Sequence, residues 1–224
     1  MKDKILLTFA LSELAFVATG VLLVVFSLTT KANMKDAFTL SNVVDNLLLA
    51  QTPLSAATIN AIVIFVTFVA SIPAMIMPTT KGWLVMHGYM IVGCALFTMV
   101  LGLDIWFKTL KTRENLAVVW NQQTSTTQSL LQQSLSCCGY ANSTSPPFVV
   151  DSTCPNSAFA ATMVGCITPF SSKANIFLDF IFTGAFGIVG IDVVLILATA
   201  MLLKDRQEKE RYRHIDEKNG TQGF

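Results

Sequence analysis

The sequence predicts an all-α membrane protein: four transmembrane helices and a large extracellular loop that is mostly helical and stapled by disulfides. Three observations carry this. The chain is 53% hydrophobic and only 13% charged, with a mean hydropathy of +0.59, which is too apolar for a soluble domain. Four apolar runs each reach the roughly 20 residues needed to cross a hydrocarbon core about 30 Å thick at about 1.5 Å per residue. All but one of the five cysteines fall in the single long polar stretch between the third and fourth runs. A formal net charge of +1 offers no basic surface for nucleic acid, so nucleic-acid binding is set aside.

Residues 1–4 form a short cytoplasmic N-terminus, and 5–28 form the first span. Lys2 and Lys4 ahead of an apolar run could suggest a secretory signal. The run exceeds a typical signal core of roughly 7 to 15 residues, and no small-residue cleavage site follows, so it reads as a retained span. Residues 29–56 are a small extracellular loop and 57–77 the second span. The tight turn at 78–82, Pro78-Thr79-Thr80-Lys81-Gly82, makes the second span and the third (83–107) an antiparallel hairpin. The large extracellular loop covers 108–174, the fourth span 175–203, and a cytoplasmic tail 204–224.

Positive charge sets the orientation. With both termini cytoplasmic, the inside holds Lys2, Lys4, Lys81, Lys204, Arg206, Lys209, Arg211, Arg213 and Lys218. The outside holds Lys31, Lys35, Lys108, Lys111, Arg113 and Lys173. The inside segments are much shorter, so positive density favours this arrangement in a plasma membrane or endomembrane, although the cluster from Lys108 to Arg113 runs against it.

In the large loop, Trp106, Leu110, Ala117 and Trp120, then Leu130, Leu131 and Leu135, recur at helical spacing. They predict a helix that continues the third span as a stalk. The tail is dense in both signs of charge and lacks apolar periodicity, which predicts a helix fraying into disorder. The tail's charges read first as a solvated face, with anionic lipid headgroups held by Lys204 and Arg206 as the alternative.

Cys137, Cys138, Cys154 and Cys166 lie in the loop, whereas Cys94 lies in the third span. Four cysteines in an oxidising compartment, on a module with little core of its own, imply disulfides. Three pairings exist; a Cys137–Cys138 bond would close a strained ring, which leaves two. Each closure is typically worth about 2 to 4 kcal/mol. Gly139 suits a chain that leaves a helix and turns sharply through positive φ. A metal site is the weaker reading, since the adjacent pair lacks C-x-x-C spacing and the loop has no histidine.

Four spans, a small loop, a larger loop that extends the third span, and then Cys137-Cys138-Gly139 with two further cysteines resemble a tetraspanin over almost the whole chain. The compact loop and the run "GWLVMHGYMIVGCALFTMVLGLDIWFKTLKTR" are most similar to the fungal branch. The resemblance implies pairing of Cys137 with Cys166 and of Cys138 with Cys154. It also implies a non-enzymatic scaffold whose head gathers other membrane proteins, with a homo-oligomer as a further expectation, and a role in fungal polarised growth or host penetration. The sequence departs from the family in two respects. No cysteine stands at the cytoplasmic end of a span, where many members are palmitoylated, and the middle cysteine is followed by proline, Cys154-Pro155.

Glu13, Asn60, His87, Asp104 and Asp192 fall in or near the spans, where a charged Asp costs roughly 2.5 to 3.5 kcal/mol at mid-depth. Glu13 and Asp192 lie at similar depths from the cytoplasmic side, and Asn60 and Asp104 match near the outer face. The resemblance adds that Glu13 stands seven residues before Gly20, where tetraspanins commonly carry Asn, and that Asp192 matches a mid-span polar position. In some members such groups line a pocket for a sterol hydroxyl. Glu13 and Asp192 are therefore read as facing a central cavity, at least one protonated because two bare carboxylates repel. The competing and favoured reading is an interhelical hydrogen bond, typically below about 2 kcal/mol. His87 and Asp104 read as interfacial residues, and Gly184, Gly187 and Gly190 as places where helices approach closely.

Asn142-Ser143-Thr144 is a glycosylation sequon on the lumenal side of this topology, whereas Asn219-Gly220-Thr221 falls in the cytoplasm. As a plain turn residue, Asn142 would also suit the approach to Ser145-Pro146-Pro147. The alternative function is a small transporter or a proton- or lipid-binding protein that uses Glu13 and Asp192. It lacks an inverted repeat and a broken helix. No catalytic constellation with usable spacing points to an enzyme, and no cofactor is expected beyond a sterol or membrane lipid.

Overall fold

The computed structural model describes residues 2–34, 37–76, 81–218 and 220. Pro78-Thr79-Thr80 of the expected turn and Asn219 of the second sequon lie outside them. Among the described residues the elements are helical throughout: α1 (Lys2–Asn33), α2 (Val43–Ala50), α3 (Leu54–Ile76), α4 (Lys81–Leu110), α5 (Thr112–Asn121), α6 (Ser125–Leu135), α7 (Ser157–Ala160) and α8 (Ile167–Lys218). Helices α1, α3, α4 and α8 are long and apolar enough to cross a membrane, which suggests an integral membrane protein. The chain divides into two compact units. One contains residues 1–26, 55–101 and 185–224, the other 27–54 and 102–184.

The first unit has its polarity inside out. Leu6, Leu7, Leu11, Leu14, Leu22 and Val25 are exposed on α1, and Val66, Val69 and Ile76 on α3. Meanwhile Glu13, Asn60, Thr67, Ser71, His87 and Asp192 are buried. Water would reverse this sorting, and a hydrocarbon solvent favours it. Phe9, Phe16, Ile64, Leu84, Ile91 and Leu195 fill the spaces between the polar groups. At Gly20 an added Cβ would lie 2.8 Å from Ile64 Cγ2, so α1 and α3 approach closely there. The expected approach at Gly184, Gly187 and Gly190 does not occur among the described residues, none of which lies within 4 Å of a Cβ at any of the three. Gly187 and Gly190 instead border an open cleft of about 410 Å³ with Thr8, Leu11, Ser12 and Val194.

As far as Lys218 the tail is helical rather than frayed. Helix α8 runs unbroken to Lys218, since its Glu, Lys and Arg residues are good helix formers. They pair at i, i+4 as Asp205–Lys209 and Arg213–Glu217, which supports an exposed helix. Two contacts also hold it to the α3–α4 end. Lys81 pairs with Glu210, and Arg206 Nη2 donates to the Ala74 carbonyl at 2.6 Å, one of the last carbonyls of α3 with no partner in its own helix.

The second unit packs α2, α5, α6 and the start of α8 around Trp120, Leu131, Phe170, Leu47 and Tyr140. Helix α2 falls in the segment read as a mixed small loop. Its signal is Val43-Val44 followed by Leu47-Leu48, an apolar stripe at helical spacing. The stalk is not one continuous helix. Between α4 and α5, Lys111 adopts φ −113° and ψ 24°. No Pro or Gly marks the break. Thr109 and Thr112 hydroxyls donate back to the Trp106 and Thr109 carbonyls at 2.6 and 2.8 Å, local bonds that compete with the helical ladder.

Candidate functional site

The head of the second unit is organised by Gln132 on α6. The side chain is fully buried, and both ends of its amide are used. Nε2 donates to the Val149 carbonyl at 2.7 Å and to Asp151 Oδ2 at 2.8 Å. Oε1 accepts from the Gly139 and Val149 amides at 3.2 and 3.0 Å. Asp151 in turn accepts from Ser129 Oγ at 3.0 Å and from the Thr153 and Cys154 amides at 2.8 and 2.7 Å. One amide and one carboxylate thus fix the segment that carries Cys154 against α6.

The cysteines complete the head. Cys137 bonds to Cys166 and Cys138 to Cys154, the two pairs that the resemblance implies, and all four are buried. The left-handed residue that ends α6 is Ser136, at φ 50°, rather than the glycine. Gly139, at φ 68°, comes one turn later. A Cβ there would strike the carbonyl of Asn142 and approach that of Pro146, so the chain folds back directly over it. Gly165 has a similar role, since a Cβ would strike the carbonyls of Ala141 and Tyr140.

Tyr140 donates its hydroxyl to the Arg113 carbonyl at 2.7 Å and lies with its ring 5.7 Å from that of Trp120. Burial pushes the hydroxyl from 10 up to about 12, against the pull of Arg113. The fold therefore favours the protonated phenol. This part of the stability is intact below pH 10 and is lost as pH rises through about 12. Tyr140→Phe should flatten that alkaline fall in a melting-temperature series.

In the first unit Glu13 on α1 is paired with His87 on α4, with Oε1 and Nε2 2.5 Å apart and both side chains buried. The two atoms are in ion-pair contact but are not aligned as a hydrogen bond, and Glu13 Oε2 also has no hydrogen-bond partner among the described residues. On the other side of the ring, Nδ1 lies 3.2 Å from the Thr67 carbonyl. A carbonyl can only accept, so Nδ1 carries the hydrogen that faces Thr67. Phe9 closes the pair edge-on, its ring 6.0 Å from that of His87.

His87 is thus buried between helices and paired with Glu13. The pairing is not legible in the sequence because the partner lies on another helix, where sequence spacing gives no register. Asn60 and Asp104, matched by depth in the sequence, take other partners: Asn60 Nδ2 donates to Thr98 Oγ1 at 2.8 Å, and Asp104 pairs with Lys108 at 2.9 Å on an exposed face. Cys94 is free and buried, with Sγ 3.4 Å from Thr67 Oγ1.

Asp192 on α8 is fully buried, and neither carboxyl oxygen has a hydrogen-bond partner among the described residues. A buried polar group in this state typically costs about 1–3 kcal/mol. Asp192→Leu should therefore stabilise the chain in detergent by about that amount, read as a higher melting temperature. A lower one would show that the carboxyl has a partner. No group of three or more metal-ligating side chains occurs among the described residues. No protein-family model, curated protein or solved structure matches this chain.

Proposed function

We propose that the chain is a non-enzymatic, tetraspanin-type membrane scaffold that gathers partner membrane proteins laterally through its disulfide-braced head. In this reading both termini are cytoplasmic and the head, residues 108–174, is extracellular or lumenal. The observation that carries it is the convergence on Cys137-Cys138-Gly139, from which two disulfides tie the end of α6 to Cys166 and Cys154. The head exposes Val150, Phe159 and Val164, apolar side chains suited to protein contacts. Affinity purification in mild detergent should recover a defined set of membrane proteins with the wild-type chain and lose it with Cys138→Ser/Cys154→Ser. An unchanged set would overturn the reading.

A second reading, a lipid- or proton-binding membrane protein, is favoured by the unpartnered Asp192 carboxyl. Glu13 is engaged by His87, so a sterol hydroxyl would meet Asp192 first. Photo-crosslinking to a sterol probe should fall in Asp192→Leu if that pocket exists, and flux assays in liposomes test transport.

A further inference from the structure

We propose that Asn142 is an N-glycosylation site on the exposed surface of the head. Asn142-Ser143-Thr144 has the required form, with serine rather than proline in the middle, and Asn142 and Thr144 are both exposed. The turn is held by backbone hydrogen bonds. The Ala141 amide donates to the Ser145 carbonyl at 3.2 Å, the Phe148 amide to the Ser143 carbonyl at 3.2 Å, and the Cys166 amide to the Gly139 carbonyl at 2.9 Å.

The side chain of Asn142 is used in one half only. Oδ1 accepts from the Thr144 amide and from Thr144 Oγ1, both at 2.9 Å. This is a turn that aspartate would make equally well. Nδ2, the atom that only asparagine supplies, has no hydrogen-bond partner among the described residues and belongs to an exposed side chain. The fold therefore has a use for the oxygen and for the threonine, and none for the nitrogen.

The donor is an oligosaccharide joined through its anomeric carbon to a lipid diphosphate. Nδ2 bonds to that carbon, the bond from carbon to the diphosphate oxygen breaks, and the lipid diphosphate leaves with the electron pair. The amide gives up one hydrogen to a base of the transferase. Thr144 Oγ1 on the amide oxygen lies where it can polarise the amide.

This proposal rests on the lumenal head of the functional reading, and the test separates the two. The full-length chain is expressed in secretory eukaryotic cells, treated with an amidase that cleaves N-glycans, and compared by gel mobility. A shift is expected in wild type, in Thr144→Ser and in Asn219→Gln, and none in Asn142→Asp or Thr144→Ala. Asn142→Asp keeps the Oδ1 acceptor, so its melting temperature after deglycosylation should match wild type. A wild-type chain without a shift, or a shift that survives Asn142→Asp, overturns the proposal. Thiol blocking before lysis then assigns the failure. Oxidised head cysteines without a glycan mean that only the site is wrong, whereas free thiols mean that the lumenal head is wrong as well.

Discussion

Gln132→Leu should lower the stability of the head by about 2–6 kcal/mol. The substitution removes four hydrogen bonds and leaves the Gly139 and Val149 amides without the acceptor they share. Each buried donor left unmade costs about 1–3 kcal/mol. Leucine nearly matches the volume, so the loss arises from polarity rather than from a cavity. Gln132→Glu should be worse. It replaces the donor that faces the Val149 carbonyl and Asp151 Oδ2 with a second carboxylate, and like charges close together in a buried site repel strongly. Thermal melts of the full chain with its disulfides intact should rank wild type above Gln132→Leu and Gln132→Glu last. If glutamate equals wild type, Asp151 does not face this residue.

The Glu13–His87 pair should show a large single-variant penalty and a small double-variant one. Glu13→Leu leaves His87 Nε2 buried without its partner, and breaking one member of a buried pair typically costs about 3–5 kcal/mol. Replacing both, as Glu13→Leu/His87→Phe, removes the desolvated groups together and should recover most of that loss. The coupling in the double-mutant cycle, measured by unfolding in detergent micelles, is the decisive quantity. Additive penalties would mean that the 2.5 Å contact contributes nothing beyond packing.

The apolar spans and the cysteines were legible in the sequence because each is a local signal. A run of about 20 apolar residues needs no partner to be recognised, and four cysteines in one polar stretch announce themselves. What the sequence concealed depends on rotation and register. Glu13 and Asp192 match in depth, but depth does not say which way a helix faces, and His87 is the residue turned toward Glu13. The break at Lys111 was hidden because threonine is unremarkable by type; its hydroxyl becomes disruptive only when it bonds backward. The helix up to Lys218 was hidden by composition, since mixed charge describes a solvated helix as well as a disordered segment. Gln132 gave no signal at all, because a glutamine on a helix is ordinary until the chain folds back over it.

The contact of Arg206 with Ala74 changes what a tail deletion would measure. A stop codon introduced after Lys204 would look like a clean test of what the tail recognises, but it also removes Arg206 and Glu210 and so strips the anchor from the last turns of α3. Any trafficking defect would then be ambiguous between lost recognition and a loosened helix end. Truncating after Arg211 keeps both anchoring residues, and only that shorter cut isolates the segment beyond them.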